Sequence, residues 1–347
     1  MIFLTVLLLS CAVFAQEVTT EPLWYEGETH LKNVRQLTFG GENAEAYFNV
    51  EGTELIFQST RDDYQCDQIF TMDLNGENIK LVSTGKGATT CSFYIPGTDE
   101  VIWCSTHDHA PECPPKPDRA LGYVWGLSEF DVYRSKADGS ELRRLTDTPG
   151  YDAEAAVSPD GKEIVWTSGR DGDLELYKMN IDGSNVQRLT WTVGYDGGPF
   201  FSPDGKHIIY RAFHPASPYE LAQWNHLWEV QAVSPVTLDL WIMDIDGGNQ
   251  RQITQLGSAS FCPYVHPSGE WTIFTTNYAD SNAHGMPNFD LFRVRPDGSD
   301  LERLTFSPTF DGFPMWSYDG KYLVWCGNRG ERRARGETNV FIAEWVE

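Results

Sequence analysis

Residues 151–190 read YDAEAAVSPDGKEIVWTSGRDGDLELYKMNIDGSNVQRLT. The stretch divides into four short β-prone runs: the residues before SPDG, then EIVWTS, then LELYKMN, then VQRLT. We call them strands a, b, c and d. Asp182-Gly183 between c and d is the dipeptide of a two-residue hairpin turn. Its glycine supplies the positive φ that such a turn demands. Runs a and b are apolar on both faces, which suits a sheet packed against neighbours on each side.

The unit recurs along the chain. A second copy is YDGGPFFSPDGKHIIYRAFHP, continued by LDLWIMDIDGGNQRQIT (195–215 and 238–254). Others end in FDLFRVRPDGSDLERLT (289–305) and FDVYRSKADGSELRRLT (130–146). A worn first copy spans 45–83, and a last one spans 310–346. The turn glycines after strand a are Gly52, Gly97, Gly161, Gly205, Gly269 and Gly320. Six four-stranded antiparallel sheets set radially make an all-β, six-bladed β-propeller. The lack of helical runs excludes a parallel α/β fold. The final copy stops after its c strand, NVFIAEWV, while an orphan d strand, NVRQLT (33–38), stands near the front. The orphan is expected to complete the last blade and leave no open edge. Residues 1–15 then read as a signal peptide, 16–32 as a polar lead, and 33–346 as one propeller.

Of the 347 residues, 26 are basic and 50 acidic, a net charge of -24. That balance argues against a broad surface for nucleic acid or anionic lipid. The apolar start, MIFLTVLLLSCAVFAQ, places cleavage after Ala15 and export to the periplasm or beyond. Leu8-Leu9-Ser10-Cys11 offers a lesser alternative, a lipid anchor on Cys11. No later stretch is long and apolar enough to span a bilayer. Six further cysteines, Cys66, Cys91, Cys104, Cys113, Cys262 and Cys326, permit disulfides in an oxidising compartment. Cys91 with Cys104 and Cys104 with Cys113 are the geometric candidates, with free buried thiols as the alternative.

In a propeller the a-to-b and c-to-d turns share one face, and the d-to-a and b-to-c connections share the other. The first set is short and uniform here. Length variation sits in the b-to-c connections 106–129, 212–237, 277–288 and 327–338, and variable loops on a uniform scaffold are where binding concentrates. Nine residues before the turn glycines stand Asn43, Ala88, Asp152, Asp196, Ser260 and Asp311. They are expected to ring the upper channel mouth, with Glu45 and Glu154, two residues further on, pointing the same way. Such a ring suits calcium, another divalent cation or a cationic ligand, because its ligands are oxygens. The competing expectation is local pairing, Asp152 with Arg170 and Asp311 with Arg329, with His214 at the matching position of its blade.

Two insertions stand out. STHDHAPECPPKPDRALGYVWGLSEF (105–130) carries His107 and His109 with Asp108, Glu112 and Cys113, a spacing compatible with a transition-metal site. His214 or His284 would supply a distant ligand. The alternative is a proline-stiffened lid with Tyr123, Trp125 and Phe130 packed inward. HPASPYELAQWNHLWEVQAV (214–233) has Leu221, Trp224, Leu227 and Trp228 at helical spacing and predicts a short amphipathic helix over the top. No GxSxG, HExxH or P-loop motif occurs.

The units resemble the TolB-type propeller repeats, also called PD40, whose signature runs SPDGkxIxfxS…LyxmxxDGsxxxrLT. The resemblance covers 34–346 and is strongest in 152–190 and 196–210; blade two has IPGT in place of SPDG. It implies a periplasmic binding scaffold more than an activity. TolB carries an additional N-terminal domain, for which this chain has no room. Similar propellers also sit beside peptidase domains, and oligogalacturonate lyases have TolB-like propellers with a manganese held by histidines and a glutamine. That ligand set has no residue-by-residue match here. The expected function is therefore a non-catalytic, monomeric scaffold binding a cell-envelope protein segment or small ligand at its upper face. The alternative is a carbohydrate- or peptide-active hydrolase or lyase using channel carboxylates or a loop metal.

Overall fold

The computed structural model describes residues 19–280, 287–334 and 336–347. The signal segment, Cys11 and His284 lie outside them. Six four-stranded antiparallel sheets follow one another around an axis. Strands a to d are, in blade I, Glu42–Phe48, Glu54–Thr60, Gln68–Asp73 and Lys80–Leu81. In blade II they are Thr89–Tyr94, Glu100–Ser105, Asp131–Lys136 and Arg143–Arg144. Blade III has Asp152–Val157, Glu163–Ser168, Glu175–Asn180 and Gln187–Arg188. Blade IV has Tyr195–Phe201, His207–Phe213, Asp239–Asp244 and Arg251–Gln252. Blade V has Ser260–Val265, Thr272–Thr276, Asp290–Val294 and Glu302–Arg303. Blade VI takes Asp311–Trp316, Tyr322–Gly327 and Asn339–Trp345 from the end of the chain, and Leu31–Gln36 from its front.

The ring closes as the sequence predicts. Leu31 faces Trp345 and Gln36 faces Phe341 across the ladder. The turn glycine between strands c and d shows how blades seat on one another. A Cβ on Gly76 of blade I would lie 2.1 Å from the carbonyl oxygen of Leu37, which follows strand d of blade VI. The DG turns of blades II to V approach the preceding blade in the same way, so this glycine serves close approach as well as positive φ.

The terminal Thr or Ser of each unit caps the next strand inward. The hydroxyls of Thr38, Ser83, Thr146, Thr190, Thr254 and Thr305 accept the second amide N–H of strand c in their own blades, at 2.9 to 3.0 Å. In blade II Thr146 also donates to Asp131 at 3.0 Å. Thr146→Val keeps shape and removes both bonds. Loss of about 1–3 kcal/mol of unfolding free energy is expected in urea titration, against near zero for an exposed Thr→Val.

Blade II departs from the other five. Its Pro96-Gly97 occupies the middle of a turn whose closing amide is that of Thr98, with Gly97 at φ 77. In blade III the amide of Gly161 itself closes the turn. Proline then glycine at the two central positions is the type II arrangement. The turn position in blade II is therefore Thr98, one residue later than the glycine suggests, and Thr89, not Ala88, begins its strand a.

The cysteine pairing is Cys66–Cys113, with Cα atoms 5.8 Å apart. It ties the b-to-c connection of blade I to the blade II insertion. Neither geometric candidate forms: Cys91 and Cys104 lie on paired strands, but Cys104 faces Thr90 while Cys91 sits in an irregularity of the ladder. Cys91, Cys104, Cys262 and Cys326 are free thiols. Among the described residues no helix is long and apolar enough to cross a membrane.

Candidate functional site

Every blade pairs an aromatic of strand b with one of strand c. The pairs are Phe57–Phe70, Trp103–Tyr133, Trp166–Tyr177, Tyr210–Trp241, Phe274–Phe292 and Trp325–Phe341, with centroids 5.2 to 6.5 Å apart. Nine residues after the turn position, a cation or ring covers a member of the pair. Arg61, Arg170 and Arg329 do so in blades I, III and VI. His107, His214 and Tyr278 do so in blades II, IV and V. Stacking of a guanidinium or imidazole on an aromatic face suits this role.

The same capping residues neutralise the aspartates at the head of strand a. Arg170 Nη2 lies 3.0 Å from both oxygens of Asp152, whose Oδ1 also accepts from Trp166 Nε1 at 2.9 Å. Arg329 Nε lies 3.0 Å from Asp311, and His214 Nε2 lies 2.9 Å from Asp196. Burial pushes all three carboxyl pKa values up, while Arg170, His214 and Arg329 pull them down. Asp152, Asp196 and Asp311 are 1%, 1% and 0% exposed. The expected acidic ring at the channel mouth is thus not made by these aspartates. Each is enclosed in its own sheet, as the pairing expectation has it.

Glu154 does face the axis. Each innermost strand has a register shift at the same place, after Ala44, Thr90, Ala153, Gly197, Phe261 and Gly312. The next residue in each, Glu45, Cys91, Glu154, Gly198, Cys262 or Phe313, has φ between 49 and 58. A bulge inserts one residue and turns the following side chain to the other face. Glu154 accepts from the Tyr195 hydroxyl at 2.9 Å and the Gly198 amide at 2.8 Å, and it pairs with Arg211. Arg211 stands in the space that Gly198 leaves. A Cβ on Gly198 would meet its guanidinium at 2.9 Å. Trp125 of the blade II insertion stacks on the same guanidinium.

Between blades I and II the Glu45 carboxylate accepts the Cys91 amide N–H at 3.1 Å. Burial lifts its pKa to about 7, with Cys91 and Arg211 opposing and Glu154 reinforcing the shift. Arg211, Tyr195, Cys91 and Cys262 were not singled out as channel residues by the sequence. The glycine at the bulge of blade IV, opposite an arginine on the adjacent strand, is the signal that pairs Gly198 with Arg211.

His107 and His109 do not share a centre. His107 lies against Tyr133 with centroids 4.4 Å apart and meets Ser105 Oγ at 2.9 Å. It is the blade II counterpart of Arg170, a role hidden by the one-residue shift of the turn. Burial pushes its pKa down. His109 meets Asp131 Oδ2 at 2.6 Å. Among the described residues no three His, Cys, Asp or Glu side chains are grouped to hold a metal.

The two insertions meet over the top. Trp125–Gly126 pairs with Ala232–Val233, and Pro218–Glu229 forms the predicted helix with Ser217 as its cap. Trp224 is buried, Phe130 is buried, and Trp125 packs on Phe261. Tyr123 instead points outward, 54% exposed. Between the insertions lies a groove of about 460 Å³ lined by Leu121, Phe213, Trp224, Leu227 and Val236, with Glu220 and His226 at its polar side. A second hollow of about 400 Å³ lies beside Pro115, Pro117, Leu127 and Val230.

Residues 107–223 match the family model described as the TolB beta propeller domain. An uncharacterized protein of Agrobacterium fabrum is 34% identical over 86 residues, 25% of this chain and 27% of that protein, so the match spans about a quarter of the relative's length. A solved structure from Agrobacterium tumefaciens described as TolB aligns with a TM-score of 0.58 at 16% identity, covering 90% of this chain and 97% of its own. TolB of Acinetobacter baumannii aligns at 0.56 and 15%, covering 89% and 65%. Oligogalacturonate lyase of Vibrio parahaemolyticus aligns at 0.53 and 13%, covering 96% and 99%. At these identities the likeness is one of fold. The chain has a TolB-like six-bladed propeller fold.

Proposed function

We propose that this chain is an exported, non-catalytic binding scaffold that takes a protein segment or small ligand in the groove between its two upper-face insertions. The observation that carries the reading is a division of labour among polar groups. Asp152, Asp196 and Asp311 are each enclosed by an ion pair inside the fold. The concave surface, lined by apolar and polar side chains together, is built largely from the inserted segments instead. The likeness to TolB structures supports a scaffold, and the Cys66–Cys113 disulfide suits the oxidising compartment that the leader suggests. The same two features support a periplasmic or secreted location.

Screening the purified protein against peptide and glycan arrays tests this. Leu227 is half-buried and Val236 is 57% exposed, and both line the groove, so Leu227→Glu and Val236→Glu should fold. Each is expected to weaken a captured ligand roughly tenfold or more, about 1.4 kcal/mol. Val186→Glu, on the strand d side of blade III, should not. Binding that ignores both groove variants overturns the location. Sustained turnover of a glycan or peptide that Asp196→Asn abolishes overturns the non-catalytic reading.

A further inference from the structure

Three junctions between blades bury two carboxylic acids side by side, one heading strand c and one heading strand a of the next blade. They are Asp131 with Asp152, Glu175 with Asp196, and Asp290 with Asp311. In two of them the strand a aspartate is matched by an arginine, Arg170 or Arg329. In the junction of blades III and IV the cation is His214. It is the one junction of the three whose strand a aspartate is matched by a group that loses its charge, by giving up a proton, near neutral pH.

Polar atoms at this junction are unmatched, as Asp290 Oδ1 also is at the junction of blades V and VI. Glu175 Oε2, Asp196 Oδ2 and the Tyr210 hydroxyl are buried with no hydrogen-bond partner. The groups around His214 come from every neighbouring element. Asp196 heads strand a and Tyr210 lies on strand b of its own blade. Trp241 of strand c packs its ring 5.0 Å from the imidazole. Glu175 on strand c of blade III is held by Arg188 of strand d at 2.8 Å, and Asp173 lies just before that strand c. Burial raises Glu175 to about 7 and Asp173 to about 6, with Asp196 adding to both. For His214 burial opposes the charge, but Asp196, Glu175 and Asp173 outweigh it and raise its pKa.

His214 is also where the helical insertion leaves the sheet. It follows Phe213, the last residue of strand b, and precedes Pro215 and the cap Ser217. The backbone there is packed tightly on Gly194, where a Cβ would meet the Phe213 carbonyl at 2.1 Å and Pro215 Cδ at 3.0 Å. The Gly194 amide donates to Asp173 at 2.9 Å, and the Trp224 side chain on the helix also stabilises that carboxylate. The acid junction and the helix are thus joined through Asp173, Gly194 and His214.

We propose that His214 is a proton-operated latch that holds the helix Pro218–Glu229 over the upper-face groove in mild acid and releases it as the pH rises. The sign follows from charge. A histidine raised by its partners contributes fully below its unfolded value, and that contribution is lost as pH rises through the folded one. Glu175, also raised, loses its proton over the same range and adds negative charge to a buried junction. Both effects loosen the junction in the same direction. The latch regulates the face assigned above to binding, but it is read on the free protein, so it stands or falls apart from whether the groove takes a ligand.

Amide hydrogen exchange, expressed as protection over intrinsic rates, is the direct test. Protection across residues 220–229 is expected to fall roughly tenfold or more between about pH 5.5 and about pH 8.5. Strand b of blade I should not change. His214→Arg copies the two sister junctions and should keep the helix protected at both pH values. His214→Gln should leave it poorly protected at both. Equal protection of the wild-type helix at both pH values overturns the latch, as does an undiminished fall in His214→Arg. Should a variant fail to fold, an NMR titration decides: a His214 imidazole titrating at or below about 6.5, the ordinary histidine value, overturns it as well.

Discussion

Replacing Arg329 by alanine is expected to cost about 3–5 kcal/mol of unfolding free energy at neutral pH, read by urea titration. Arg329, Glu28 and Asp311 are all 0% exposed. The guanidinium gives Nη1 to Glu28 Oε2 at 2.9 Å and to the Leu23 carbonyl at 3.0 Å. It gives Nη2 to Glu28 Oε1 at 2.7 Å and Nε to Asp311 at 3.0 Å. Its plane lies between Trp325 and Tyr25. One planar cation therefore satisfies two buried carboxylates and a carbonyl, which a lysine could not do with the same geometry. Removing it leaves two like charges facing each other out of water. Burial already raises Asp311, and loss of Arg329 raises it further. A raised carboxyl binds its proton more tightly when folded, so the deficit of the variant should shrink as pH falls from 7 toward 5. A loss below about 1 kcal/mol, typical of exposed pairs, would mean that water reaches this cluster. Glu28 belongs to the stretch that the sequence reads as a polar lead. Its full burial shows that this stretch is part of blade VI's packing.

How far the sequence carries depends on which physical rule sets each feature. The blades are legible because their signals are local: a DG turn, a terminal Thr and an aromatic pair each act within a few residues. Ring closure is legible because a missing strand at one end matches a spare strand at the other. The channel is not legible, and Asp152 with Glu154 shows why. Residues two apart on a regular strand point the same way. Here the bulge after Ala153 breaks the alternation, and Glu154 at φ 58 turns to the axis while Asp152 stays between sheets. No residue type announces the bulge, since Glu, Cys, Gly and Phe all occupy it. His107 escapes for a different reason. The type II turn at Pro96-Gly97 moves the count by one residue, so the histidine that covers Tyr133 is read as part of a metal pair. Likewise, Cys66 and Cys113 are joined by the meeting of two connections, which strand spacing cannot foresee.

The largest effect should come from opening the ring. A chain beginning at Phe39 loses Leu31, Val34 and Leu37, of which Leu31 and Leu37 are 3% exposed. Burying such side chains is worth about 1.5–3 kcal/mol each. The chain also loses Thr38, whose hydroxyl accepts the Val340 amide at 2.9 Å and donates to Asn339 at 3.1 Å. Glu28 goes too, so Arg329 keeps one carboxylate in place of two, and Gly76 loses the Leu37 carbonyl on which blade I is seated. These terms together exceed about 5 kcal/mol, comparable with the whole stability of an ordinary domain. What remains is strand c of blade VI, Asn339–Trp345, as a bare apolar edge, and such an edge pairs with other chains. The truncated protein is therefore expected to be insoluble, or to unfold without a cooperative transition. A synthetic peptide of residues 19–38, added during refolding, should restore a cooperative monomer, because it carries the strand Leu31–Gln36 that pairs with Trp345–Phe341 and the residues Thr19–Thr20 that pair with Arg332 and Glu331. A truncated chain that unfolds at the same urea concentration as the intact one would mean that the ring is held by its other five junctions alone. In that case the front strand covers an edge without closing the circle.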